Sequence, residues 1–189
     1  MEKKNIELIE IKPTKDSHRW VAITALLLAI GVILHTISPN VAGITPNWTI
    51  AMYSITIGLT NPTLPQALGI GFVAGLTLVP SSKSAFPLGN IASEIAGALT
   101  AAILVKAMFM VGMKNFKFRP FITGALATVS SGGLFTFILK VMLPLPLEVW
   151  QTKMLPAVFI IALLNGAITQ MLFAPVQKLF FVQEGEKNE

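Results

Sequence analysis

Between Asp16 and Glu148 the chain carries one acidic residue, Glu94, set in a succession of apolar runs separated by short Pro- and Gly-broken segments. Runs of about 20 apolar residues have the length of a membrane-crossing helix, so the pattern points to a polytopic membrane protein. Composition agrees: 12% of the residues are charged, against about 25% in a soluble domain, and mean hydropathy is +0.71. A carboxylate at the edge of hydrocarbon costs roughly 2.5–3.5 kcal/mol on insertion scales, which makes Glu94 a functional-site candidate by default, with Lys83 the nearest opposite charge in sequence.

The expected fold is all-α, with six transmembrane helices in one bundle. The first span reads Trp20 to about Ile37, stopped by Ser38-Pro39-Asn40, and the second Trp48 to Leu59, short for a full crossing. The turn Asn61-Pro62-Thr63-Leu64-Pro65 leads into a third span, Gln66 to Val79, where Gly69, Gly71, Ala74 and Gly75 permit close approach of another helix. The Gly-x-Gly there lacks a preceding strand, so it is read as helix packing and not as a nucleotide loop. Spans four to six read Asn90–Val111, Phe121–Leu143 and about Leu155–Phe181, the last two separated by a polar and aromatic break from Pro144 to Gln151. Residues 1–19 then form an amino-terminal segment, 20–181 the membrane domain and 182–189 a tail. No room remains for a separate soluble domain, so any energy source lies in a partner or an ion gradient.

Lys3, Lys4, Lys12, Lys15, Arg19, Lys114, Lys117, Arg119, Lys178 and Lys187 fall on the side of the termini, against Lys83 and Lys153 in the opposite loops. The positive-inside rule makes the termini cytoplasmic and the long Pro-rich loops outer, as an importer in a prokaryotic plasma membrane requires. The net charge of +5 sits at span flanks and forms no basic face, which argues against nucleic acid. The absence of cysteine excludes thiolate metal sites and thiol catalysis. About nineteen polar, charged residues precede the first apolar run, unlike a cleaved signal peptide. No His-Glu-x-x-His occurs, and His35 has no serine-protease motif near Ser130 or Ser131, so an intramembrane enzyme is not expected and neither metal nor cofactor is called for.

Glu94 lies about one turn into the fourth span, beneath the loop bearing Lys83. The two either pair with each other or separately hold the amino and carboxylate groups of a zwitterion. Asn165 and Gln170 lie within the sixth span, where an amide needs a partner, across helices or on a ligand. Ser130, Ser131, Gly132 and Gly133 serve close packing or line a polar cavity. His35 reads as an interfacial group or a proton relay. Trp48, beside Asn47, and Trp150 either belong to the aromatic belt or stack on a planar ligand.

Ala22, Ala25 and Ala29 share one face of the first helix, a close-docking surface. This resembles the Ala-x-x-x-Ala motif of the substrate-binding S-components of energy-coupling-factor (ECF) transporters. The basic amino terminus, Leu34-His35 ahead of Pro39, Pro46 before the second span, and Phe86-Pro87-Leu88-Gly89-Asn90-Ile91 are together similar to the tryptophan-transporter (TrpP-like) branch of those families. The likeness covers roughly the first 110 residues, with a looser match around Asn165 and Pro175. It implies a six-helix bundle that captures a vitamin, amino acid or metal from outside and topples in the membrane to release it. Its energy would come from a transmembrane coupling protein and two ATPase subunits.

The reading that results is a substrate-binding subunit for tryptophan or a related aromatic compound, with a vitamin as the alternative cargo. The expected site places Lys83 on a carboxylate and Glu94 on an ammonium or ring N–H. Trp48, Phe86 and Trp150 supply stacking, Asn47, Asn90 and Asn165 neutral hydrogen bonds, and Ala22, Ala25 and Ala29 face the coupling protein. The rivals are a gradient-driven secondary transporter working through Glu94 and His35, and a structural subunit without a ligand.

Overall fold

The computed structural model describes residues 19–38, 46–113 and 116–180. The segment up to His18, most of the loop from Asn40 to Asn47, Lys114, and the tail from Phe181 lie outside the described residues. Within them the fold is all-helical: α1 (Arg19–Ile37), α2 (Trp48–Thr60), α3 (Leu64–Leu78), α4 (Gly89–Met110), α5 (Arg119–Met142), the single turn α6 (Leu147–Val149) and α7 (Leu155–Phe180).

Among the described residues four stretches are long and apolar enough to cross a membrane, namely Trp20–Ile37, Gly89–Met110, Arg119–Met142 and Leu147–Phe180. At 13 and 15 residues, α2 and α3 fall below the roughly 17 residues of a full crossing. The expected break from Pro144 to Gln151 is shorter than the sequence suggested. Helical structure resumes at Leu147 directly after Pro146, and a π-helical stretch, Trp150–Met154, joins α6 to α7. Pro156, with no N–H for the carbonyl four residues back, accounts for the altered ladder there.

The α2–α3 turn is built from three local signals. Asn61 ends α2 in the left-handed region (φ 43°), returning its N–H to the Ile57 carbonyl at 2.9 Å, a conformation that asparagine tolerates. Thr63 and Gln66 then form a reciprocal capping box, the Gln66 side chain accepting from Thr63 N at 2.8 Å. Pro65 sits in the first turn, where its missing N–H costs nothing. These signals start α3 two residues earlier than hydropathy alone suggests.

Packing inverts the soluble pattern. Leu26, Ile33, Phe72, Phe159, Leu163 and Met171 are exposed, whereas Thr49, Ser54, Ser93, Glu94, Thr128 and Asn165 are buried. An exterior this apolar suits lipid, and the polar interior is where a bundle in lipid places its hydrogen-bonding groups. α2 is the central helix, buried from Thr49 to Thr60 except at Leu59 and touched by α1, α3, α4, α5 and α7. α3 docks closely on α4: a Cβ at Gly71 would fall 2.6 Å from the Glu94 carbonyl, and one at Gly75 2.6 Å from Ile91 Cα. Gly69, expected to share this role, has nothing within 4 Å and lies off the contact. The α3–α4 contact fixes the height of Glu94 in the bundle.

Candidate functional site

A cavity of about 260 Å³ opens where α4, α5 and α7 meet the start of α2 and the loop between α3 and α4. Helical spacing explains its walls. Asn90, Ser93 and Glu94 lie on one face of α4, and Thr128, Ser131, Gly132 and Phe135, at i, i+3, i+4 and i+7, on one face of α5. Val158 and Ile161 of α7 and Ile50 of α2 add aliphatic surface, and Ser81 to Ser84 form the loop side.

Glu94 is the buried charge of this cavity, 1% exposed. Its Oε1 accepts from Asn47 Nδ2 at 3.0 Å and from Ser131 Oγ at 3.3 Å. Its Oε2 has no hydrogen-bond partner among the described residues. The fully buried Tyr53 phenol stands beside the same carboxylate but outside ordinary hydrogen-bond geometry. Gly97 makes room for it, since a Cβ there would run into the Tyr53 hydroxyl. A buried carboxylate is costly, and a ligand N–H or ammonium reaching the cavity would offset that cost.

Lys83 lines the same cavity from the exposed loop. It does not pair with Glu94, whose hydrogen bonds go to Asn47 and Ser131. Of the two arrangements open from sequence, the structure has the charges apart, one buried and one at the rim. Asn47 and Asn90 also line the cavity; Asn90 Nδ2 donates to the Pro87 carbonyl at 2.8 Å and so braces the loop. His35 joins the rim, its Nδ1 3.4 Å from the Pro46 carbonyl.

Other expected site residues lie elsewhere. The Trp48 indole donates to Ser38 Oγ at 2.7 Å, and Trp48 packs against the buried cluster of Ile23, Leu27, Met52 and Ile55. Trp150 donates to Thr136 Oγ1 at 3.3 Å, sets its ring edge-on to Phe137 at 6.2 Å, and has Lys140 Nζ 5.8 Å from its centroid. Phe86 packs near Gly89, behind the wall. Asn165 is fully buried and donates to Thr128 Oγ1 at 3.0 Å, holding a lining residue from below, while its Oδ1 has no hydrogen-bond partner among the described residues. Gln170 ties α7 to the start of α5, accepting from Phe121 N at 3.2 Å and donating to the Lys117 carbonyl at 3.1 Å.

Sequence reasoning missed Phe135, Thr128, Ser93 and Ile50. Helical spacing from Ser131 would have found Thr128 and Phe135, but only once Ser131 was known to face inward. Among the described residues no three His, Asp or Glu side chains gather as metal ligands. Ala22, Ala25 and Ala29 are exposed on α1, opposite the buried Ile23, Thr24, Leu27 and Leu28.

Residues 17–181 match the family described as "Tryptophan transporter TrpP". The chain belongs to that family. It is 30% identical over 161 residues to a "Probable tryptophan transport protein" of Clostridium acetobutylicum, covering 82% of this chain and 90% of the relative. It is 31% identical over 179 residues to a protein of the same description from Clostridium perfringens, covering 87% and 94%. No solved structure matches. Membership in a transporter family makes the apolar exterior of the bundle its lipid-facing surface, and the chain a membrane transport protein.

Proposed function

We propose that the chain is the substrate-binding subunit of an ECF-type importer, capturing tryptophan at the cavity around Glu94. The bundle would cross the membrane six times, with α2 and α3 as short spans and both termini in the cytoplasm of a prokaryotic cell. The observation that carries the reading is the buried Glu94 carboxylate, held by Asn47 and Ser131 with the Tyr53 phenol beside it, in a cavity whose rim bears Lys83. That charge arrangement suits a zwitterion, ammonium inward and carboxylate outward. The volume of about 260 Å³ lies just under the roughly 300 Å³ at which drug-sized sites begin, a fit for an amino acid. The relatives are described as tryptophan transport proteins, which supports tryptophan over a vitamin.

The coupling half of the proposal rests on α1. Its small residues Ala22, Ala25 and Ala29 lie on the outer surface of the bundle, where a membrane partner can approach closely. Co-purification with a transmembrane coupling protein and two ATPase subunits, and ATP-dependent tryptophan uptake by vesicles containing the complex, are the expected results. Uptake by vesicles containing this chain alone, collapsing with a protonophore, would overturn the ECF assignment in favour of a gradient-driven carrier.

A further inference from the structure

We infer that Phe135 is the ring platform that makes the cavity selective for aromatic amines, a role that rests on the substrate-binding reading above. It is the only Phe, Tyr or Trp among the lining residues described; the remaining apolar side chains there are aliphatic. The indole groups of Trp48 and Trp150 are engaged elsewhere, so among the described residues Phe135 offers the one phenyl or indole face to an aromatic ligand, with the smaller His35 imidazole also on the lining.

Its position along α5 matches the shape of such a ligand. Ser131 contacts Glu94, and Phe135 follows four residues later on the same face, a rise of about 6 Å at 1.5 Å per residue. The direction is toward the mouth, because the Phe135 ring reaches the start of α4: a Cβ at Gly89 would lie 3.2 Å from its Cε2 and 3.4 Å from Phe86 Cδ1. An amine held at Glu94 would therefore place a ring one methylene from its α-carbon within about a turn of helix, at the level of Phe135. The ring is backed by Gly89, the first residue of α4. A Cβ at Gly132 would come 3.0 Å from Val158 Cγ1, so α7 packs closely on α5 at this level and Val158 forms that side of the cavity.

Affinities of detergent-purified wild type, Phe135→Leu, Phe135→Tyr and Trp150→Phe for tryptophan, tryptamine and leucine test this. Aromatic pairing of the usual strength predicts that Phe135→Leu weakens tryptophan and tryptamine about five- to tenfold and narrows the tryptophan-to-leucine ratio. Phe135→Tyr and Trp150→Phe should stay within about twofold of wild type. The chain has no cysteine, so Phe135→Cys gives a second readout: tryptophan should protect it from a thiol reagent and leave Trp150→Cys unprotected. Wild-type binding with Phe135→Leu unchanged, or protection at Trp150→Cys in place of Phe135→Cys, would overturn the platform alone. Failure of wild type to bind tryptophan would overturn the substrate reading and the platform with it.

Discussion

Asn47, the residue immediately before α2, donates from Nδ2 to Glu94 Oε1 at 3.0 Å, which joins the start of the central helix to the one buried carboxylate of the cavity. The two are 47 positions apart in sequence, and the bond holds the start of α2 against α4. A hydrogen bond to a charged group contributes about 1.5–3 kcal/mol. Asn47→Ala should lower thermal stability in detergent by an amount in that range and weaken tryptophan binding. Asn47→Asp should be worse than Asn47→Ala, because it sets a second carboxylate against Glu94. Equal stability of Asn47→Asp and wild type would remove the bond from the account.

Gly97 and Tyr53 form a second testable pair. A Cβ at Gly97 meets the Tyr53 hydroxyl and lies 3.0 Å from Ser131 Cβ, so Gly97→Ala should cost about 1–3 kcal/mol through overpacking. Tyr53→Phe removes the hydroxyl and should recover part of that loss. Thermal unfolding of the two single variants and the double variant gives the coupling energy directly. Strict additivity would mean that the two residues do not share this space.

The α3–α4 contact predicts opposite outcomes at neighbouring glycines. A Cβ at Gly71 or Gly75 would press on backbone of α4, which cannot rotate away, so Gly71→Val and Gly75→Val should sharply reduce the yield of folded protein. Gly69 faces open space. There Gly69→Ala should be neutral or stabilising by up to about 1 kcal/mol, the helix-propensity gain. Size-exclusion profiles of the three variants check the contrast.

Element positions were largely legible from the sequence, whereas helix rotation was not. The α1 and α2 boundaries follow from Pro39, Trp48 and Asn61, and α4 begins one residue before the expected Asn90. Hydropathy suffices for this because the lipid-crossing stretches are long. It does not say which face turns inward, since in lipid the outside of a helix is as apolar as its packing face. That is why polarity alone pointed to Glu94, Lys83, Asn47 and Asn90, which line the cavity, while Phe135 was one phenylalanine among 12. For the same reason Trp48 and Trp150 were expected at the ligand, although their indole groups serve as struts to Ser38 and Thr136.

Substitution of the exposed alanines of α1 should separate binding from transport. Ala25→Leu with Ala29→Leu adds bulk to an outer face without touching the cavity. Tryptophan affinity should stay within about twofold of wild type, while uptake in cells falls to background. Normal uptake would remove α1 as the docking face, and lost affinity would show that the face supports the bundle.

The most direct test of the account is tryptophan binding by wild type and Glu94→Gln, read as the ligand-induced rise in unfolding temperature. A ligand present at 100 times its Kd stabilises by about 2.7 kcal/mol. Wild type should show a clear rise with tryptophan. Glu94→Gln, still able to accept from Asn47 and Ser131 through its amide oxygen, should fold and lose at least tenfold in affinity. No rise in wild type, or an equal rise in both proteins, would contradict the assignment of Glu94 as the group that grips the substrate.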